Sequence, residues 1–169
     1  MLSIADDVDI PALNALINDA YRGEHSKKGW TTEADLLDGL RTDEQTLGNI
    51  MHEPTSFILK YMDKGEIAAC VHLRKDDGLL YLGMLTVSPE LQGEGIGKKL
   101  LLAAETEARK LGYTSIYMTV LSVRKELIAW YVRHGYKDTG QRKPFDNKDP
   151  RFGIPKTPLE FVVLRKGIV

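Results

Sequence analysis

The chain has 169 residues, of which 43% are hydrophobic and 28% are charged. This is the composition of one ordinary globular domain, covering residues 1–169. It contains no run of 18 apolar residues, and residues 1–7 lack the basic and apolar regions of a secretory signal. These absences exclude a transmembrane helix and predict a cytoplasmic protein.

The formal net charge of −1 hides an uneven distribution of charge. Residues 1–66 hold 13 acidic and 6 basic side chains, whereas residues 67–169 hold 11 acidic and 17 basic ones. A basic C-terminal part suits an anionic ligand and an acidic N-terminal part suits a cationic one, although two solvated faces would explain the counts equally well. No basic stripe is interleaved with aromatic residues, which argues against nucleic-acid binding. The four histidines show no ligand-like spacing, so no metal site is predicted, and Cys70 lies in an apolar run that predicts a buried, inert thiol.

The first third of the chain predicts a short strand and then helices. A strand near Ile4 is followed by a helix that Asp9 caps and that carries Pro11 in its first turn. A polar loop ends near Trp30, and a second helix is predicted to open at Thr32. Residues 42–51 predict another helical turn or two.

The rest of the chain alternates strands and helices. Residues 56–62 and 66–74 predict a hairpin around a turn at residues 63–65, and the apolar run 79–87 predicts a buried strand. A helix over 95–111, a strand over 114–121, a helix over 124–134 and strands near 136–140 and 159–165 follow. Because a helix connects strands 79–87 and 114–121, we expect them to be parallel neighbours. Gly83 interrupts the first of these strands and predicts a bulge or a close backbone approach.

The segment Gln92-Gly93-Glu94-Gly95-Ile96-Gly97-Lys98 lies between a predicted strand and a predicted helix. A glycine-rich turn that opens a helix exposes several backbone N–H groups and binds phosphate or pyrophosphate. A dinucleotide-binding loop requires G-x-G-x-x-G after the first strand of its domain, and a P-loop requires four residues before Gly-Lys and then Ser or Thr. Neither spacing is present, which weakens the interpretation as a nucleotide-binding regulator.

A second motif follows about 35 residues later, at Ala129-Trp130-Tyr131-Val132-Arg133-His134-Gly135-Tyr136, in a helix that Ser122 is expected to cap and Gly135 to end. The first segment resembles the pattern Q/R-x-x-G-x-G/A of the GNAT superfamily of N-acetyltransferases, and the second resembles the family's F/L-Y-x-K-x-G-F pattern. The resemblance covers residues 4–165. Trp130 and Tyr136 are interpreted as core residues, and Tyr131 as a functional one.

The resemblance implies the GNAT fold, which is α/β (α+β by some schemes): a mixed, mostly antiparallel sheet with a splayed parallel strand pair and helices on both faces. It implies transfer of an acetyl group from acetyl-CoA to a primary amine, expected to belong to a small molecule, by direct attack in a ternary complex. The alternatives are a protein or peptide N-acetyltransferase and a non-catalytic acyl-CoA-binding module. A homodimer is compatible with the family, although nothing in the sequence locates an interface.

The family's pattern also assigns site residues. Tyr131 is the expected general acid, and Gly95 and Gly97 are expected to leave room for phosphate oxygens. Arg124 stands where the family often has Asn, and we expect it to reach a phosphate or the adenosine end of the cofactor or to lie in solvent. The expected contacts to acetyl-CoA are Leu85, Thr86, Val87, Gln92, Gly93, Glu94, Gly95, Ile96, Gly97, Lys98, Arg124 and Tyr131.

The acceptor side is less well defined by sequence. No Asp or Glu lies in strand 79–87, so no general base is evident and water is one candidate. Glu33 is a candidate for binding the amine or relaying its proton, against the alternative that it only stabilises the first turn of a helix. Trp30 and Phe145, the latter in a long loop over residues 141–158, are expected to shape the acceptor pocket.

Overall fold

The computed structural model describes residues 1–145 and 149–168. In this part of the chain the strands are β1 (Leu2–Ile4), β2 (Leu37–Asp38), β3 (Ser56–Asp63), β4 (Glu66–Asp76), β5 (Leu79–Val87), β6 (Ser115–Leu121), β7 (Lys137–Pro144), β8 (Ile154–Pro155) and β9 (Glu160–Gly167). The helices are α1 (Ile10–Tyr21), α2 (Glu44–His52), α3 (Ile96–Lys110) and α4 (Lys125–Arg133). None of them is long and apolar enough to cross a membrane.

Seven strands form one sheet in the order β1-β3-β4-β5-β6-β9-β7, and β2 pairs with β8 in a separate ribbon. Strands β5 and β6 are parallel, and the other neighbours in the sheet are antiparallel. The parallel pair is joined only at Leu80↔Ile116 and Tyr81↔Tyr117. Beyond these residues the two strands diverge, which confirms the predicted splayed pair and opens a gap in the sheet.

Strand β5 carries a bulge at the start of this gap. His72 of β4 lies opposite Gly83, but Cys70 lies opposite Thr86, so β5 has one residue more than its partner. The extra residue is accommodated at Met84, whose φ of 48° lies in the left-handed region. A side chain at Gly83 would collide with the Tyr81 phenol, because a Cβ there would lie 2.6 Å from Oη of that ring. Both features that Gly83 predicts, a bulge and a close approach, are present.

Helices cover both faces of the sheet, as predicted. Along β3 and β4 the side chains alternate between two cores, with Ile58 and Cys70 facing α1 and α2, and Leu59 and Val71 facing α3 and α4. Cys70 is 1% exposed, and burial raises the pKa of its thiol to about 12. Its predicted role as an inert core residue is confirmed.

The predicted helix opening at Thr32 is wrong. Turns occupy this segment and lead into β2, whose Leu37 is buried and pairs with Pro155 of β8. The helix begins instead after Asp43, whose carboxylate accepts a hydrogen bond from the Thr46 amide at 2.7 Å. The positive φ of 96° at Gly39 prevents one helix from covering both segments.

Two smaller predictions also need correction. The first turn of α4 is preceded by Arg124 and has no side-chain cap, so Ser122 does not play that role. The predicted loop over residues 141–158 is shorter, because β7 extends to Pro144 and β8 lies within it. Residues 146–148 of that loop lie outside the described residues.

Candidate active site

The glycine-rich segment forms the N-terminal entrance to α3. Gly95 occupies the N-cap position with a φ of 84°, and Gly93 has a φ of 88°, so both use the left-handed region that other residues avoid. No side chain caps the helix. The first N–H groups of a helix have no partner within it, and the positive end of the helix dipole adds to their attraction for an anion. The segment therefore presents backbone donors to a phosphate group.

A cavity of about 570 Å³, which we call the donor cavity, lies between this segment, the end of β5 and α4. Lys98, Arg133 and His134 line it with Glu126, which gives it a cationic balance suited to a phosphorylated ligand. Most of the residues predicted to contact acetyl-CoA line this cavity: Leu85, Val87, Gln92, Gly93, Gly95, Ile96, Gly97, Lys98 and Tyr131.

Three of the predicted contacts, Thr86, Glu94 and Arg124, do not line the donor cavity. Thr86 is 1% exposed, and its hydroxyl donates to the Met84 carbonyl at 2.8 Å, so its side chain is occupied on the α1 face of the sheet. It occupies the inward-facing position between Leu85 and Val87. Glu94 is exposed and does not line the donor cavity.

The backbone of β5 faces the gap between the splayed strands. The Ser88 amide donates to the Ala68 carbonyl of β4 at 2.9 Å, and backbone groups of successive residues point to opposite sides of a strand. The peptide groups of Val87 therefore point away from β4. The Val87 carbonyl accepts a bond from Gln92 Nε2 at 3.0 Å, and the Leu85 carbonyl accepts one from the Tyr21 hydroxyl of α1. These bonds fix the edge of β5 on the donor-cavity side.

Gln92 joins the glycine-rich segment to the loop after α1. Its Oε1 accepts a bond from the Trp30 amide at 2.7 Å, and its Nε2 donates to Thr31 Oγ1 at 2.8 Å. A Cβ at Gly29 would overlap the Gln92 carboxamide, so this contact depends on a glycine there. The predicted contact residue Gln92 is thus also a structural link between two walls of the donor cavity.

Two indole rings form one wall of the donor cavity. Trp130 is half-buried, with its ring centroid 6.1 Å from that of Trp30 and 4.4 Å from that of His134. Trp30 therefore lines the donor cavity, not the acceptor pocket as predicted, and Trp130 is a cavity wall more than a core residue. A Cβ at Gly97 would lie 3.2 Å from Trp130, so Gly97 makes room for the indole, in addition to its predicted role beside phosphate oxygens.

A second cavity of about 340 Å³, the acceptor cavity, lies on the other side of the β5 bulge. Phe145 lines it as predicted, with its ring centroid 5.6 Å from that of Phe161. Six aromatic side chains line it in total: Tyr21, Tyr81, Tyr131, Phe145, Phe152 and Phe161. Among the described residues, its charged lining consists of Arg22, Glu33, Arg41 and Arg124.

Glu33 is held between two arginines in the acceptor cavity. Its Oε1 lies 3.1 Å from Arg22 Nε and its Oε2 lies 3.2 Å from Arg124 Nη1. The three side chains are only 6–10% exposed. Glu33 belongs to no helix, so its predicted alternative role in a first turn is wrong.

Arg124 points toward the acceptor cavity and away from the glycine-rich segment. Besides Glu33, its guanidinium donates to the Thr31 carbonyl and lies 5.8 Å from the centre of the Tyr21 ring. These contacts leave it neither in solvent nor at a phosphate, so the structure contradicts the expected positions. With its donors directed at Glu33 and Thr31, Arg124 belongs to the lining of the acceptor cavity.

Sequence reasoning missed Tyr21, Arg22 and Arg41. The first two end α1, where helical periodicity predicts only the buried face, and Arg41 lies in a turn before α2. Nothing in the local sequence distinguishes Tyr21 and Arg41 from surface residues. Arg22 carries one weak signal, since it is a polar side chain directly after a buried helix face.

Tyr131 lies where the two cavities meet. Four residues line both of them: Tyr21, Leu85, Leu127 and Tyr131. Tyr131 is 5% exposed, and burial raises the pKa of its phenol well above the ordinary value. The hydroxyl therefore carries its proton at neutral pH, at the junction between a cavity suited to a phosphorylated ligand and a smaller aromatic one.

Comparisons with known proteins agree with this arrangement. Residues 10–136 match the acetyltransferase (GNAT) family. An acetyltransferase of Agrobacterium fabrum is 34% identical over 70 residues, which are 41% of this chain and 50% of that protein. The match thus spans half the length of that relative.

The fold is shared with solved acetyltransferases. The ribosomal-protein-S18-alanine N-acetyltransferase from Escherichia coli superposes with a TM-score of 0.74 at 16% identity, covering 99% of this chain and 93% of that one. The ribosomal-protein-alanine N-acetyltransferase from Brucella melitensis gives 0.69 at 21% identity and 99% coverage of both chains. At these identities the likeness concerns the fold. The family match covers most of the chain and includes both motifs and α1–α4, so the chain belongs to the GNAT family of acetyltransferases.

Proposed function

We propose that the protein transfers an acetyl group from acetyl-CoA to the primary amine of a small molecule, by direct attack within a ternary complex. The observation that carries the proposal is the meeting of two cavities at Tyr131. Direct transfer requires both substrates to be bound at once, with the amine and the thioester on either side of one point. The junction beside the β5 bulge provides such a point.

The donor cavity supplies the contacts that acetyl-CoA needs. The free N–H groups at the start of α3 would hold the pyrophosphate, and Lys98 adds charge at the same entrance. The gap-facing backbone of Leu85 and Val87 would pair with the pantetheine arm. An N–H at the bulge would also polarise the thioester carbonyl, and one such donor is typically worth about 3 kcal/mol of transition-state stabilisation.

Tyr131 would act as the general acid. As the amine nitrogen bonds to the acetyl carbon, the carbon–sulfur bond breaks and the phenol gives its proton to the departing sulfur. The phenolate then recovers a proton from the former amine. A phenol with a raised pKa is fully protonated before the step, as this role requires.

The geometry favours a positioning role for Glu33 over the relay of a proton. Both of its oxygens already accept bonds from guanidinium groups, which hold the carboxylate in place between Arg22 and Arg124. The cluster of Arg22, Arg41 and Arg124 around one carboxylate disfavours a second positive charge and thus favours the neutral, reactive amine. Water would then suffice to remove the extra proton of an amine that arrives charged, before its nitrogen attacks.

The proposal is tested by free-thiol release from acetyl-CoA in the presence of pooled amines: amino acids, polyamines, aminoglycosides and short peptides. We expect release above the hydrolysis background in one small-molecule pool. Release with peptides alone would favour a protein or peptide N-acetyltransferase. If no pool causes thiol release above the background while calorimetry shows that acetyl-CoA binds, a non-catalytic acyl-CoA-binding module would be favoured.

The compartment is a separate part of the proposal. We infer a cytoplasmic location, which the single, buried Cys70 supports because a reducing compartment keeps such a thiol free. Fractionation of cells that produce the chain at native level would test this placement, and recovery in the secreted or membrane fraction would contradict it.

A further inference from the structure

The acceptor cavity carries more positive than negative charge among the described residues. Three guanidinium groups, of Arg22, Arg41 and Arg124, line it with a single carboxylate, that of Glu33. Cations gathered in a poorly solvated cavity repel one another unless anions compensate them. The part of the cavity formed by residues 1–145 and 149–168 is therefore short of negative charge, which opposes the acidic acceptor side suggested by the counts for residues 1–66.

Two of the three arginines are already bound within the protein. Arg22 pairs with Glu33 and donates through Nη1 to the carbonyls of Leu40 at 3.0 Å and Phe152 at 3.1 Å. Arg124 pairs with the other oxygen of Glu33 and donates to the Thr31 carbonyl. These guanidiniums hold the loops around the cavity together, and both are already paired with the carboxylate of Glu33.

Arg41 differs from its two neighbours. Its guanidinium carbon lies 5.6 Å from the centre of the Tyr21 ring, and within residues 1–145 and 149–168 it has no carboxylate within ion-pairing distance. A guanidinium that lines a cavity with its donors free is suited to a bidentate bond with a carboxylate. The anion that the cavity lacks would therefore bind at Arg41.

We propose that Arg41 binds a carboxylate of the acceptor, so that the substrate is a free amino acid with an apolar or aromatic side chain. This inference rests on the proposed function and specifies its substrate class. The aromatic and aliphatic lining of the acceptor cavity accounts for the apolar side chain, and a volume of about 340 Å³ is near the lower end of small-molecule sites.

The position of Tyr21 relates the two ends of such a substrate. Its hydroxyl bonds to the Leu85 carbonyl at the cavity junction, and its ring contacts Arg41. The anion site is therefore about one tyrosine side chain away from the point where the amine meets the thioester. An amine and a carboxylate attached to the same small molecule can occupy both places.

The first experiment compares matched acceptors by thiol release from acetyl-CoA. L-phenylalanine is paired with L-phenylalaninamide, and L-leucine with L-leucinamide, so that the carboxylate is the group replaced, and the rates are compared per neutral amine because the amide has the less basic amino group. We expect kcat/KM to be at least about tenfold higher for the acids, since bonds to charged groups are worth more than neutral ones. Arg41→Gln should remove this preference by raising KM for the acids about tenfold while leaving the amides within about twofold.

Two further variants make the result specific to the guanidinium. Arg41→Lys should restore part of the preference, because the charge remains. Arg142→Gln, at an exposed arginine on β7 whose partner is Asp138, should leave both members of each pair unchanged. Equal use of acids and amides by the wild-type protein, or an equal loss with both in Arg41→Gln, would overturn the assignment while leaving acetyl transfer to amines intact.

A binding measurement separates this inference from the proposed function. Calorimetry with CoA present measures the affinity for N-acetyl-L-phenylalanine and N-acetyl-L-phenylalaninamide, without any turnover. Tighter binding of the acid that is lost in Arg41→Gln would support the anion site even if no amine were acetylated. Equal or absent binding of the acid would overturn it, whatever the thiol assay shows.

Discussion

The donor and acceptor cavities share one edge of β5 but are built in different ways. The donor cavity lies mainly between the end of β5, the backbone of the glycine-rich segment and α4, which follow one another in the sequence, and only Tyr21, Trp30 and Thr31 come from the N-terminal part. The acceptor cavity is formed by side chains from dispersed segments. Its charged residues come from the end of α1, the turns before and after β2, and the residue preceding α4.

The two cavities are therefore encoded differently, the donor cavity by a local sequence motif and the acceptor cavity by residues that are far apart in the sequence. A phosphate-binding turn needs glycines at fixed spacing, so a short motif is enough to encode it. A pocket for a variable acceptor needs charges that meet only after folding. The donor side is thus expected to respond mainly to backbone changes and the acceptor side to changes of charge.

The largest effect is expected at Tyr131, where the two cavities meet. Tyr131→Phe removes the proton donor while keeping the ring, so kcat should fall by about 10²–10⁴-fold with acetyl-CoA affinity near that of the wild type. Steady-state kinetics and calorimetry measure the two quantities. Tyr136→Phe is the matched control: its hydroxyl is buried without a hydrogen-bond partner in the described structure, so activity should be unchanged. Full kcat in Tyr131→Phe would exclude the general-acid role.

The pH dependence sharpens the same assignment. Since burial raises the pKa of Tyr131, its active protonated form persists as the pH rises. The wild-type kcat should therefore not decline between about pH 7 and about pH 9 through loss of this proton. A decline in this range that disappears in Tyr131→Phe would show that the phenol titrates far below the expected pH.

The next largest effect is expected at Glu33, which pairs with both Arg22 and Arg124. Glu33→Gln leaves Arg22 and Arg124 buried without a carboxylate, and loss of one partner from a buried ion pair typically costs about 3–5 kcal/mol. Urea denaturation measures the free energy of unfolding. Asp35→Asn, two positions later and 83% exposed, should change it by less than about 1 kcal/mol.

Kinetics of the same variant distinguish positioning from proton transfer. If Glu33 only positions the arginines, the pH dependence of kcat/KM should keep its wild-type shape in Glu33→Gln. If the acidic limb of this pH profile is lost in Glu33→Gln, Glu33 is instead a proton acceptor. A free energy of unfolding that is unchanged in Glu33→Gln would contradict a stabilising role for the pairs of Glu33 with Arg22 and Arg124.

The parts of this molecule that were predictable from sequence are those with local signals. Three such parts are the buried run 79–87, the glycine-rich turn and the hairpin around residues 63–65. Each contains within its own few residues the apolar pattern or the turn residues that specify its structure. The parallel β5–β6 pair followed from one connecting helix. Most donor-cavity residues were predicted for the same reason.

The errors concern residues whose surroundings come from distant segments. Leu37 lies in a strand because β8, more than a hundred residues later, pairs with it. Trp30 lies at the donor cavity because the carboxamide of Gln92 binds its amide. Arg124 turns toward the acceptor cavity because Glu33 lies there. Spacing along the chain carries no information about such partners.

A smaller effect is expected from backbone strain on the donor side. Gly95 has a φ of 84° and open space where a Cβ would lie, so Gly95→Ala tests conformation without crowding. The left-handed region costs other residues about 1–2 kcal/mol. The Gly95→Ala variant should therefore either lose about that much free energy of unfolding or adopt a different turn conformation. Either result weakens acetyl-CoA binding, which calorimetry measures. Unchanged affinity and stability together would show that this turn does not depend on its glycine.

The smallest effect is expected at Gly97, which lies in the helix and makes room for Trp130. In Gly97→Ala the new methyl group meets the indole at 3.2 Å, while alanine favours the helix by about 1 kcal/mol, so these terms should nearly cancel in the free energy of unfolding. Acetyl-CoA affinity should fall only a few-fold, through displacement of the Trp130 wall. A loss of affinity as large as that of Gly95→Ala, at unchanged stability, would mean instead that phosphate oxygens touch the backbone at Gly97. The donor cavity would then use both glycines for the ligand, and the indole contact would be incidental.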